Sequence, residues 1–442
     1  MRHFKVVALL LVLCSFMAFG NGSQETVEQT VEKQVLRVQF VGDWKMQDVS
    51  DPVSGRVQKG IAEFEKLFEA SHPHIDLEFV LMGWGKYNEK TRIMIQANEC
   101  DVFQAPGIAS LAAQGLLENL APYIERDGFD VNKYIDGQID GWKSMGPNDT
   151  ELGIYGLPMF GDPRVISYDK KIFDEWGVEY LSKKPTMDEI REKAAKMTGI
   201  NPVTGEQNYG LFYRGGGHAA DTLVNLVEGL GGQWGTGFKW SEMKTEFDSP
   251  EFVAALNWMR ETLPYTPPGM VSQQGGEAWA SDENVIGIKL YCSSGDIKKL
   301  RDNGVMDRFG VSYGFLHPTL KKGYMFAGSP VVMSANCQNK DIAWEYIKWT
   351  SSDEFGNFFY DNGFQFPVIK SAVEWDSVKA IPQMDLAIES MASLWTPRYP
   401  YRAAQPRYIL GEHVEKFLLG ELDAKEASSL AQSKTEAWLK DQ

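Results

Sequence analysis

The sequence predicts an α/β protein with more than one domain, and three observations carry that expectation. Residues 35–117 alternate three short apolar strands with three helices, the order that builds a parallel sheet with crossover helices. Further along, helix starts carry capping residues, and strands recur between them. The chain has 442 residues, 43% of them hydrophobic, enough for a large core and long for a single domain.

The first element is a targeting segment. "MRHFK" is basic, and "VVALLLVLCSFMAF" is apolar but too short to span a bilayer comfortably. Ala18 and Gly20 fit a small-residue cleavage pattern, so residues 1–20 read as a signal peptide cut before Asn21. The alternative is a lipoprotein cut before Cys14, against which stands Leu13, where such signals want a small residue. Either route exports the chain, to the periplasm or, lipid-anchored through Cys14, to the cell surface. "NGSQETVEQTVEKQ", residues 21–34, is a polar tether.

"VLRVQFVG" and "IDLEFVLM" alternate as strands, and "DVFQ" is a third. Between the first two, "RVQKGIAEFEKLFEA" sets Val57, Ile61, Phe64, Leu67 and Phe68 on one helical face, with Pro73 as the stop. "YNEKTRIMIQAN" and "IASLAAQGLL" are the next helices. "YGLPMFGDPRVISYDKKIFDEWG" is a proline-flanked break, an alternating strand from Val165, and a helix capped by Gly177. "KPTMDEIREKAAKMTG" carries a capping box, Thr186 with Glu189. "NYGLFYRGGG" is a strand running into a glycine-rich loop. Ser249 and Pro250 open the helix "PEFVAALNWMRETL". "NVIGIKLYCSSGD" and "FAGSPVVMSAN" are strands, the second followed by the helix "KDIAWEYIKWTS". The last 50 residues are helical.

Composition excludes several function classes. With 44 basic and 60 acidic residues the net charge is -16, and removal of Arg2 and Lys5 with the signal makes it -18. Such a chain is a poor partner for nucleic acid or an anionic membrane. Cys100, Cys292 and Cys337 cannot all pair, so there is no disulfide framework, and no spacing suggests a metal site or cofactor. The catalytic elbow G-x-S-x-G, the P-loop and H-E-x-x-H are missing, and "GGG" at 215–217 lacks the dinucleotide-binding spacing. In an open α/β sheet, ligands sit beyond the carboxyl ends of the strands. Those ends offer Asp43, Trp44, Trp84 and Gln104, and acids and amides beside flat aromatics suit a neutral polyol with apolar ring faces, a sugar. Core packing is the competing role for the aromatics, and Trp234, Trp240, Trp258, Trp344 and Trp349 read as core.

The chain resembles the family 1 extracellular solute-binding proteins, the sugar receptors of ABC importers, and is similar to maltose-binding proteins. The residues that carry this are "DVFQAPGIASLAAQGLLENLAPYI", "YGLPMFGDPRVISYDKKIFDEWGVE" with "PTMDEIREKAAKMT", and "FAGSPVVMSANCQNKDIAWEYIKWTSSDEFGNFF". The resemblance implies a periplasmic-binding-protein-like α/β fold of two discontinuous lobes joined by a hinge. Lobe 1 would be 35–161 plus 326–370, and lobe 2 would be 162–325 plus 371–442. It implies a monomeric receptor that delivers a sugar or oligosaccharide to a membrane permease, without being an enzyme. It also implies that Asp162, at the crossing between lobes, accepts hydrogen bonds from sugar hydroxyls, with Arg164 beside it. Asp43 matches the acid after the first strand. Gln104 and Gly107 match a contact loop that is shorter here than in maltose-binding proteins and lacks their tryptophan, which argues for a different sugar. Tyr213 and Arg214 match the end of a second-lobe strand, where an arginine is a departure. Tyr291, Ser293 and Trp395 fall near aromatic platforms, with helix capping as the competing role of Ser293. A secreted glycoside hydrolase would use the same acids and aromatics. A polyamine receptor would too, but Arg164 and Arg214 oppose a cation and would suit an acidic sugar.

Overall fold

The structure, a computed structural model, describes residues 33–50, 55–105, 107–216, 219–236, 242–323, 328–394 and 404–441. It contains two five-stranded sheets. The first has the order Ile75–Met82, Gln34–Val41, Val102–Gln104, Gly328–Met333, Leu157–Gly161. The first three strands are parallel, as their alternation with helices requires, with Gln34 opposite Ile75 and Val38 opposite Val102. The second has the order Gly199–Ile200, Gln207–Phe212, Ile286–Cys292, Val165–Asp169, Phe309–Tyr313.

Neither sheet is all parallel, which corrects the expectation from the βαβ pattern. Strand Gly328–Met333 runs against both of its neighbours, and strand Val165–Asp169 runs against both of its own. The reason is connectivity. Each of these strands arrives from the other sheet at the edge where parallel strands end, so it must run the opposite way. The first crossing takes three residues, 162–164, and leaves no room for a crossover helix.

Local chemistry sets the helix boundaries. Helix Ile61–Ser71 buries Ile61, Phe64 and Phe68, but Val57 lies in a two-residue strand and is exposed, against expectation. Gly60 breaks the pattern: a Cβ there would lie 2.3 Å from the Met46 carbonyl oxygen, and its N–H donates to Asp48. Helix Lys170–Trp176 starts at Asp169, whose carboxylate accepts the Lys171 N–H, and ends on Gly177 at φ 63°. Thr186 caps helix Met187–Lys196, yet the Glu189 carboxylate accepts from Ser182 and Lys193 instead of closing a capping box. Ser249 caps helix Pro250–Thr262 as expected.

The core under the first sheet is aromatic. Phe359 lies within 4.6–5.2 Å, ring to ring, of Phe40, Trp44, Phe64, Phe160, Phe355 and Phe358. Trp344 and Trp349 pack in that lobe, while Trp234 and Trp258 pack in the other. Trp240 lies outside the described residues. Helix Ala404–Leu418 packs on helices Ala219–Gly229 and Ala424–Lys440 in the second lobe. Cys100, Cys292 and Cys337 are buried free thiols. Among the described residues no helix is long and apolar enough to cross a membrane.

Candidate functional site

The crossing at 162–164 fixes where a site can form. It leaves the carboxyl end of strand Leu157–Gly161 and enters strand Val165–Asp169 beside the carboxyl end of the antiparallel strand Ile286–Cys292. The carboxyl ends of the parallel strands of both sheets, where open α/β sheets can take a ligand, therefore lie around one three-residue link. Within the first lobe, Gly161 N–H at the start of the link donates to the Phe366 carbonyl (2.8 Å), and the lobes touch close by, where the Arg301 guanidinium sits 4.1 Å over the Phe364 ring.

Asp162 stands in the link and reaches into the second lobe. Its Oδ1 accepts the Ser294 N–H (2.9 Å), at the first turn of helix Ser294–Asp302, and pairs with the Arg164 guanidinium. Arg164 is buried, and its guanidinium lies 4.9 Å from the Tyr291 ring centre. Burial works against its charge, but Asp162 and the Tyr291 hydroxyl hold its pKa above the ordinary arginine value. Arg214 covers Tyr291 as well, at 4.7 Å.

Tyr291 is placed by an irregular strand. The pairing register between strands Ile286–Cys292 and Val165–Asp169 shifts between Lys289 and Cys292, and Tyr291 sits at φ 55°. A bulge of this kind re-aims a side chain, and a left-handed tyrosine persists only when its surroundings hold it. The ring is 1% exposed, so it supports two arginines and offers no open platform. Burial raises its phenol pKa, with Arg164 and Arg214 acting the other way.

Ser293 takes its competing role. It begins helix Ser294–Asp302 in a reciprocal capping box with Asp296, whose Oδ2 accepts both the Ser293 N–H (2.9 Å) and its hydroxyl (3.0 Å). Lys289 Nζ donates to the other Asp296 oxygen at 2.5 Å. Burial pushes the Asp296 carboxyl up, but Lys289 and the Ser293 N–H outweigh it and hold it at about 2.

Three expected contacts belong to the lobe interiors. Trp44 is 7% exposed, packed between Phe40 and Phe359 and against Gly363, where a Cβ would meet the indole at 2.2 Å. The Gln104 amide is spent on structure: Oε1 accepts the Val41 N–H (2.9 Å) and Nε2 donates to Ser329 (2.9 Å). Tyr213 is fully buried and its hydroxyl donates to the Met259 carbonyl (2.8 Å). Asp43 and Trp84 are different. Both are exposed at strand ends of the first sheet, and Trp84 meets Tyr87 edge to face at 5.3 Å. Trp395 lies outside the described residues.

The sequence reading missed the acids that organise this rim. Asp221 is fully buried in helix Ala219–Gly229 and pairs with Arg407 (Nε to Oδ1, 2.7 Å). Its signal was a carboxylate inside the apolar run "AADTLVNLV". Arg407 comes from 186 residues further along, where no local pattern announces it. Asp169, at the opposite end of its strand from the link and so outside this rim, is also fully buried, held by Arg308 Nη2 (2.6 Å) and Asn284 (2.8 Å). Burial raises the pKa of Tyr87 on the first lobe, and Tyr408 adds to that while Arg407 acts against it, so the two rims are within electrostatic reach.

Residues 54–356 match the model of the bacterial extracellular solute-binding proteins. The chain belongs to that family. A binding protein of Brucella abortus (strain 2308) is 23% identical over 322 residues, 71% of this chain and 74% of its own. Among solved structures, the sugar-binding protein MalE of Xanthomonas citri superposes with a TM-score of 0.72 at 18% identity, over 92% of this chain and 98% of that one. The maltose-bound MalE3 of T. maritima gives 0.69 at 17%, over 91% and 99%. The shared fold is the two-lobe fold of periplasmic binding proteins, as the resemblance implied.

Proposed function

We propose that this solute-binding protein captures a sugar or oligosaccharide between its lobes and hands it to the permease of an ABC importer, without chemistry on the ligand. The observation that carries the reading is the three-residue link at 162–164, which brings the carboxyl ends of both sheets to one place. A ligand that touches both rims binds a closed form better than an open one, and this difference shifts the population. The lobes are taken as 35–161 with 326–370, and 162–325 with 371–442. Export follows from residues 1–20, with cleavage before Asn21 or lipidation at Cys14 as its two forms.

Candidate contacts are Asp43 and Trp84 on the first rim and Asp162 and Arg214 on the second, with Arg164 and Tyr291 supporting the second from beneath. The exposed indole of Trp84 suits the apolar face of a pyranose, and carboxylates suit its hydroxyls. The maltose bound by the T. maritima protein supports a saccharide as the ligand class.

Small-angle scattering tests this, with and without each sugar of a panel, followed by chromatography of the recovered sugar. A smaller radius of gyration at saturation and an intact sugar are expected. A ligand recovered cleaved would favour the glycoside hydrolase reading, and an unchanged radius at saturation would remove hinge closure.

A further inference from the structure

The second rim carries more cations than its structure consumes. Around Tyr291 the described residues place four cations, Arg164, Arg214, Lys289 and Arg407, against three anions, Asp162, Asp221 and Asp296. Three cations have a close carboxylate each: Arg164 on Asp162, Lys289 on Asp296 (2.5 Å), Arg407 on Asp221 (2.5 Å). Arg214 is the one left over. Its nearest carboxylate oxygens are 3.8 Å away on Asp221 and 3.9 Å on Asp296, both beyond hydrogen-bond reach and both already engaged. Among the described residues no acceptor takes a hydrogen bond from its guanidinium. The side chain is a quarter exposed, with its guanidinium carbon 4.7 Å from the Tyr291 ring centre, just past the carboxyl end of strand Gln207–Phe212.

A guanidinium in that state is oriented but unsatisfied. The Tyr291 ring holds its position, and the two carboxylates attract it from a distance without occupying its N–H donors. Its planar fork matches a carboxylate in a bidentate pair, and a hydroxyl group cannot use it as fully. A rim serving only neutral sugars has no need of a net positive charge, since an uncompensated cation loses hydration on closure and recovers nothing.

We propose that the ligand is an acidic saccharide, a hexuronate or a short oligomer of one, whose carboxylate docks on Arg214. This rests on the saccharide-receptor reading above and narrows it. Asp43 and Trp84 on the opposite rim would then serve the hydroxyls and ring faces of the same ligand.

The test is titration calorimetry on the whole exported chain with trigalacturonate, its methyl ester, maltotriose and mannitol. Trigalacturonate should bind, and esterification should weaken it roughly ten- to hundred-fold, the range for a charge-assisted pair. Arg214→Gln should weaken the acid by a similar factor and leave the ester nearly unchanged, whereas Arg214→Lys should recover only part. Raising the salt concentration should weaken the acid more than the ester. Equal affinity for acid and ester, or binding of maltotriose or mannitol alone, would overturn the acidic ligand and leave the receptor reading intact. If none of the four binds, both readings fall.

Discussion

The two rims of the site are built from different materials. At the first sheet, the strand ends that face the link sit on a dry aromatic core, and Asp43 and Trp84 project from it without holding anything together. At the second, the strand ends sit on a buried ionic lattice. There Asp162, Arg164, Tyr291 and Asp296 support one another, and Asp162 is at the same time a proposed ligand contact. In the first lobe, stability and recognition are assigned to separate residues. In the second they share residues, so substitutions there should move both at once.

The largest expected effect is on the first lobe's core. Phe359→Ala should cost about 3–5 kcal/mol of unfolding free energy, the usual price of deleting a buried aromatic ring. Urea denaturation measures it, and the fraction that remains folded should bind ligand with unchanged affinity. A loss of affinity in that fraction would show that this core reaches the site.

Asp162→Ala should do two things. It removes the acceptor of the Ser294 N–H and the partner of buried Arg164, which lowers stability by about 1.5–3 kcal/mol. Calorimetry should show ligand binding weakened by about the same amount. If stability falls and affinity does not, the carboxylate serves the link alone.

Asp296 gives the comparison a pH axis. Its folded pKa of about 2 lies below its ordinary value of 3.8. Its contribution is therefore complete above about pH 4 and is lost as the pH falls towards 2. The difference corresponds to on the order of 2 kcal/mol. Urea midpoints between pH 2 and pH 5 should fall less steeply for Asp296→Asn than for the natural chain. Equal slopes would mean that Lys289 and Asp296 are coupled in the unfolded chain too.

The smallest expected change in stability is at the first rim. Asp43→Ala and Trp84→Ala should each leave unfolding within about 0.5 kcal/mol, as exposed side chains do, while weakening ligand binding. A stability loss as large as that of Asp162→Ala would erase the contrast between the rims.

Much of this molecule is decided by neighbours along the chain. The alternation of Leu36, Val38 and Phe40 fixes a strand, Ser249 before Pro250 fixes a helix start, and Gly177 fixes a stop, because each acts within a turn or a strand's width. The order of such segments carried the two-lobe fold and the family. Only the tertiary structure decided which residues at the strand ends are available. Trp44 stands two residues after Gly42 and Trp84 one after Gly83, each glycine following an apolar strand, so the two look alike in sequence. One meets Phe359 and Gly363, more than 300 residues on, and is buried, while the other meets Tyr87 in its own turn and stays exposed. The same holds for charge. Arg407, from 186 residues further along, claims Asp221, and Lys289, from the strand just before, claims Asp296, which leaves Arg214 over Tyr291 with its donors unspent. Local pattern sets the backbone because hydrogen bonding and side-chain period are short-range. Whether a polar group is spent or spare depends on everything packed around it, and that is known only once distant segments meet.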